Sequence, residues 1–174
     1  MDASVLPPGR VLPVVRAPAH VLSAPAVDVD PADAAVVQLA ADLLATMDAS
    51  PGCVGLAAPQ VDVRWRVFCV DATAHRKTRT SHGRFVLVNP KLVEASRWEK
   101  GREGCLSVPD LTGDDKRATR VVMCGVTPGG EEVVVETDGF EARALQHELD
   151  HVDGLVFLDR VAGAHAVFPR KVYM

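Results

Sequence analysis

Gln146-His147-Glu148-Leu149-Asp150-His151 carries an H-E-x-x-H pattern inside a stretch with helical periodicity, and the reading of the chain turns on it. Histidines four residues apart lie on one helical face, so both imidazoles can grip one metal ion. Glu148 directly follows the first of them. There a carboxylate reaches water held by the ion rather than the ion itself, which is the place of a general base. Phe140 and Ala144 share a face with His147, so this face is expected to turn inward and line a pocket. Two histidines still leave a catalytic centre short of one protein ligand.

The third ligand separates the readings. In the peptidase pattern H-E-x-x-H-x-x-G-x-x-H, Gly154 fits, but the ligand position is Phe157, which cannot bind metal. No Glu follows Glu148, leaving Asp153, Asp159 and His165 as weaker downstream candidates. Upstream, Glu103-Gly104-Cys105-Leu106-Ser107 offers a thiol between Gly and Ser, a setting suited to an exposed turn. Cys105 with His147 and His151 leaves one coordination position for water, the geometry of a catalytic site, and is the preferred set. Taken singly, Cys105 would be a buried apolar residue and Gln60 a loop amide. Each histidine ligand should be oriented by an acceptor on its outward ring nitrogen, which the sequence does not identify.

Gly55-Leu56-Ala57-Ala58-Pro59-Gln60 joins these two segments, and with it the chain resembles the peptide deformylase family. The three stretches match that family's G-φ-A-A-x-Q, E-G-C-L-S and Q-H-E-φ-D-H in order. Leu12 to Val15 and Val21-Leu22 look like its N-terminal strand region, so the likeness spans roughly residues 11 to 160. Two departures stand out. Cys53 occupies a position where the family usually has Gly, and the tail ending Val172-Tyr173-Met174 lacks the long terminal helix of many bacterial members.

The resemblance implies a cytoplasmic hydrolase that removes formyl from the N-terminal Met of nascent polypeptides and releases formate. It implies one Fe(2+) per chain in the cell, with Zn(2+) or Ni(2+) as alternatives in purified protein. The metal-bound water would be the nucleophile and Glu148 the general base and acid. The side-chain amide of Gln60 and the backbone N–H of Leu106 would meet the developing oxyanion. Val54, Gly55, Gly104, Phe140 and Ala144 would contact substrate, with Gly55 allowing close backbone approach. N-formyl-methionyl nascent peptides are the expected partner, with transient ribosome contact as a further one. A peptidase cutting internal bonds and a non-catalytic metal-stapled relative are the competing readings.

Composition bounds the rest. A chain of 174 residues is expected to be a single catalytic domain, with residues 1-10 and 162-174 as peripheral tails. A net charge of −4 gives no reason to expect a specific nucleic-acid partner, and no apolar run reaches the roughly 18 to 20 residues of a membrane helix. Pro7, Pro8 and Pro13 interrupt any signal-peptide pattern. Residues 3 to 27 contain no acid, a faint transit-peptide flavour against which proline spacing and few serines argue. Four scattered cysteines suit a reducing compartment; Cys69 and Cys124 read as small core residues.

The periodicities give an α+β fold: mixed or antiparallel strands around a central helix carrying the H-E-x-x-H motif, plus an N-terminal amphipathic helix. That first helix reads as capped by Asp30, with Pro31 at its first position and an apolar stripe from Val36 to Met47. Val67–Val70, Phe85–Val88 and Leu92–Trp98 read as separate strands, and Arg120–Val126 with Val133–Glu136 as a hairpin. Thr137 or Asp138 can cap a second helix, about Gly139 to His151, with Gly154 just past its end. The stretch His75 to Thr80 reads as a solvated connection, with a ribosomal-RNA contact as the minority alternative. His20, His75 and His82 have no partner at ligand spacing.

Overall fold

In the computed structural model, residues 6–171 are described; the tail Val172 to Met174 lies outside them. The elements are α1 (Ala34–Asp48), β1 (Gly55–Ala57), β2 (Val67–Val70), β3 (Phe85–Cys105), β4 (Val108–Val126), β5 (Glu132–Asp138), α2 (Gly139–Val152) and β6 (Val167–Pro169). The strands form one sheet in the order β1-β2-β3-β4-β5, with β6 on β4, and every pairing is antiparallel. The expected α+β class stands.

Strand alternation explains how one sheet holds two helices. Successive side chains point to opposite faces, so Phe68, Val70, Phe85 and Leu87 pack with Leu145 and Leu149 of α2. Their neighbours Val67, Cys69, Val86 and Val88 pack with Leu39, Leu43 and Met47 of α1. All four residues of β2 are buried as a result. Burying each such aliphatic side chain contributes roughly 1.5 to 3 kcal/mol, more than the propensity differences among ordinary helix residues. Packing on the sheet, rather than intrinsic propensity, therefore places both helices.

Three local expectations need correcting. Helix α1 begins a turn later than expected. Asp33 is its cap, its carboxylate accepting the Ala35 N–H at 2.8 Å, while Asp30 accepts from Ala32 ahead of the helix. The two strands read at Phe85–Val88 and Leu92–Trp98 are parts of one 21-residue strand. Pro90 lacks an N–H, and the ladder absorbs this by shifting register between Val88 and Lys91 without ending. The segment expected as a peripheral tail from residue 162 supplies β6, paired at Leu111–Gly113. At the other end, Arg10 forms an ion pair with the nearly buried Asp42 of α1.

Cys69 is fully buried, whereas Cys124 is only half-buried. No helix among the described residues is long and apolar enough to cross a membrane.

Candidate metal centre and active site

The β3–β4 hairpin and α2 bring the ligand candidates together. Cys105 ends β3 and pairs with Val108 across the two-residue connection Leu106-Ser107, just past a register shift at Gly104. The Ser107 N–H lies 3.4 Å from its sulfur. His147 and His151 present their rings on one face of α2, centroids 5.0 Å apart. The Cys105 Sγ lies 3.2 Å from His151 Nε2, and the donor atoms of all three residues lie within 4.8 Å of one another. One thiolate and two imidazoles at this spacing, nearly sealed from solvent, are a donor set that fits a zinc- or iron-class ion.

The surroundings orient part of this set. The Glu103 carboxylate sits 2.8 Å from His147 Nδ1, so that nitrogen carries a proton and Nε2 would be the one to face an ion. His151 is different: its Nδ1 is buried with no partner among the described residues, so the expected acceptor is found for one histidine and not the other. Burial lowers the basicity of both rings. For His147 the hydrogen bonds to Cys105 and Glu103 outweigh burial and hold the ring protonated well above its ordinary value. For His151, burial followed by the His147 charge holds it well below. Metal entry would therefore displace a proton from His147.

Gln60 is fixed by both ends of its amide. It lies in the 3-10 turn Ala58–Val61 that follows β1, where its Oε1 accepts the Ala57 N–H at 3.0 Å. Its Nε2 consequently points at the centre, 3.4 Å from Cys105 Sγ and 3.3 Å from Ser107 Oγ. Glu148 is buried beside the same centre with Oε2 unpartnered. Burial pushes its carboxyl up to about 7, with the His147 charge acting against the rise.

Gly55 keeps room for that carboxylate. A Cβ at Gly55 would lie 2.5 Å from Glu148 Oε1 and 2.9 Å from its Cδ and Cγ. Replacing Gly55 with Ala should therefore displace Glu148 and lower kcat about tenfold or more, by analogy with misplaced catalytic groups. Ion content should stay unchanged. Kinetics with parallel metal analysis check this, and wild-type kcat in the variant would show that Glu148 is not crowded by Gly55.

Behind the ligands lies a buried ion-pair network that the sequence did not reveal. Arg117 of β4 reaches Glu103 at 3.0 Å and Asp150 at 2.5 Å, and lies 2.9 Å from Asp115. Arg143 bridges Glu103 and Asp115, and Arg160 adds a second cation on Asp150. Burial works to raise the Glu103 carboxyl, yet hydrogen bonds from His147 and Arg117 hold it well below the ordinary carboxylate range. Burial and the Glu103 charge push Asp115 up to about 6. Glu103 and Asp150 stand inside the quoted motifs, which was the available signal; Arg117 stands in none.

Outside the ligands, a cavity of about 350 Å³ is lined by Val54, Gly55, Gln60, Gly104, Cys105, Leu106, Phe140, Ala144, His147 and Glu148. Every residue singled out from sequence for catalysis or substrate contact thus borders one space, with His151 buried beside it. The weaker downstream candidates are elsewhere: Asp153 pairs with Arg66, and Asp159 accepts the Val156 N–H of its own turn. His165 is exposed. His75, expected to be unremarkable, stacks on Phe140 with ring centroids 3.7 Å apart and also lines the cavity. His82 bonds the buried Glu141 at the start of α2.

The sequence pattern that defines the Polypeptide deformylase family matches residues 11–166. The chain belongs to that family. Its members are metal-dependent enzymes acting on formylated N-termini. A peptide deformylase of Symbiobacterium thermophilum is 39% identical over 158 residues, covering 90% of this chain and 70% of the relative. Peptide deformylase 1 of Bacillus subtilis is 40% identical over 149 residues, covering 86% and 89%. Among solved structures, the class I type b peptide deformylase of Acinetobacter baumannii bound to Met-Ala-Ser superposes with a TM-score of 0.79 at 37% identity. It covers 87% of this chain and 99% of that one. The structure of the Thermotoga maritima peptide deformylase gives 0.80 at 30% identity, covering 88% and 99%.

Proposed function

We propose that this chain removes the formyl group from the N-terminal Met of nascent polypeptides in the cytoplasm, with Cys105, His147 and His151 holding Fe(2+) in the cell. Zn(2+) or Ni(2+) would suit the same donors in purified protein. The convergence of Cys105, His147, Glu148 and Gln60 on one cavity, with His151 at donor distance just behind it, carries this reading. When bound, the ion supplies a Lewis acid and lowers the pKa of water toward neutrality.

The chain's own groups do the rest. Glu148, held near neutrality by burial, accepts a proton from the attacking water and passes it to the departing amine. The Gln60 amide, locked by its bond from Ala57, donates toward the developing oxyanion without adding a competing charge, and the Leu106 N–H serves beside it. One such donor is worth roughly 3 to 4 kcal/mol in the transition state. Val54, Gly55 and Gly104 would guide the substrate backbone, and Phe140 and Ala144 would wall the space for the Met side chain. The similar Acinetobacter deformylase is bound to Met-Ala-Ser, which supports a Met-initiated peptide as the substrate class. Transient ribosome contact would bring the enzyme to emerging chains.

Anaerobically prepared, iron-loaded protein should release formate from formyl-Met peptides and leave unformylated peptides intact. Cleavage of internal bonds without formate would replace this reading with that of a peptidase. Metal retention with neither reaction would point to a non-catalytic relative.

A further inference from the structure

We propose that Lys77 and Arg170 at the mouth of the cavity select nascent chains with Asp or Glu shortly after the N-terminal Met, an inference that rests on the deformylase reading of this cavity. Four cations line the mouth: Lys77, Arg102, Arg143 and Arg170. The acids lining the same space are Glu103 and Glu148, which are 6% and 3% exposed and face inward. In a chain whose net charge is −4, this concentration of positive charge is local and runs against the average surface.

Two of the four are already engaged. Arg143 bridges Glu103 and Asp115, and Arg102 pairs with Asp114 while its guanidinium lies 3.9 Å from the centre of the Phe168 ring. Lys77 and Arg170 are exposed and form no ion pair among the described residues. Arg170 is placed over the site, and Lys77 is anchored at its backbone, whose N–H donates to His75 Nδ1 at 3.3 Å. The Arg170 backbone donates to Asp110 at 2.8 Å beside β6, and a Cβ on Gly104 would collide with its guanidinium. That guanidinium therefore lies over the residue next to Cys105. Lys77 follows His75, whose ring is stacked on Phe140 of α2.

A substrate enters with its formyl end at Cys105, His147 and His151, so its next residues must leave through this mouth. Carboxylates there meet two unpartnered cations, whereas lysines meet repulsion. Exposed pairs of this kind are each worth up to about fivefold in affinity and weaken with salt.

The test compares formyl-Met-Ala-Asp-Asp, formyl-Met-Ala-Ser-Ser and formyl-Met-Ala-Lys-Lys as substrates, with calorimetry of the matching unformylated peptides on zinc-loaded protein. KM should be lowest for the acidic peptide, by about fivefold against the serine one, with kcat alike across the series. Peptide affinities should follow the same order, and the spread should shrink at about 0.5 M salt. The double variant Lys77→Glu with Arg170→Glu should reverse the order. Equal KM and equal affinity across the series would overturn the inference. So would a single-stranded RNA oligonucleotide that binds more tightly than the acidic peptide and is lost in the same double variant. Charge-ordered binding with no formate from any peptide would instead overturn the deformylase reading and leave the selective mouth standing.

Discussion

Replacing Glu148 with Ala is expected to lower kcat for formate release by about 10² to 10⁴-fold while the protein keeps its ion. The carboxylate lies in a buried space and makes no bond through Oε2, so no part of the fold depends on that oxygen. Its carboxyl is pushed up to about 7, a value suited to taking and returning a proton near neutral pH. Cys105, His147 and His151 do not need Glu148 in order to converge, so metal analysis should match the wild type. Retained turnover would remove Glu148 from the reaction. Loss of the ion together with turnover would make it a structural residue.

The second large effect concerns stability. Arg117→Met should cost about 3 to 5 kcal/mol, because it leaves Glu103, Asp115 and Asp150 buried with less compensating charge. For a domain of this size that lowers Tm by roughly 10 °C. A carboxyl raised in the folded state costs nothing while protonated and its full penalty once ionised. Asp115 already lies at about 6 and would rise further without Arg117. The Asp115 share of the loss should therefore be absent well below about 6, where that carboxyl is protonated in both folded proteins, and grow as pH rises through 6 and beyond. Thermal unfolding of both proteins across that range checks it. An unchanged Tm at neutral pH would show that Arg143 and Arg160 suffice to neutralise the cluster.

Much of the centre was legible in the sequence because metal ligation and proton transfer tolerate few side-chain types. The spacing of His147, Glu148 and His151 specifies both a helix and a face, and Cys105 was the candidate ligand that the fold brings to donor distance of them. The apolar stripe of α1 was legible for a related reason, since one face must meet the sheet. Its start was not, because Asp30 and Asp33 can each accept a backbone N–H and nothing local ranks them. The full length of β3 was hidden by Pro90 and by an exposed polar run toward Arg102 that shows no two-residue alternation. Its pairing depends on β4, which is distant information. Arg117 reads like any surface arginine until Glu103 of β3 and Asp150 of α2 join it and Asp115, two residues back on its own strand. Residues 167–169 form a strand only because Leu111–Gly113 offers an edge, which short-range patterns cannot report.

X-ray absorption at the metal edge of the loaded protein tests the centre most directly. The account expects one ion per chain bound by one sulfur and two imidazole nitrogens, with the sulfur signal lost in Cys105→Asp. An ion carrying no sulfur ligand in the native chain, or a fourth protein side chain closing the position kept for water, would contradict it.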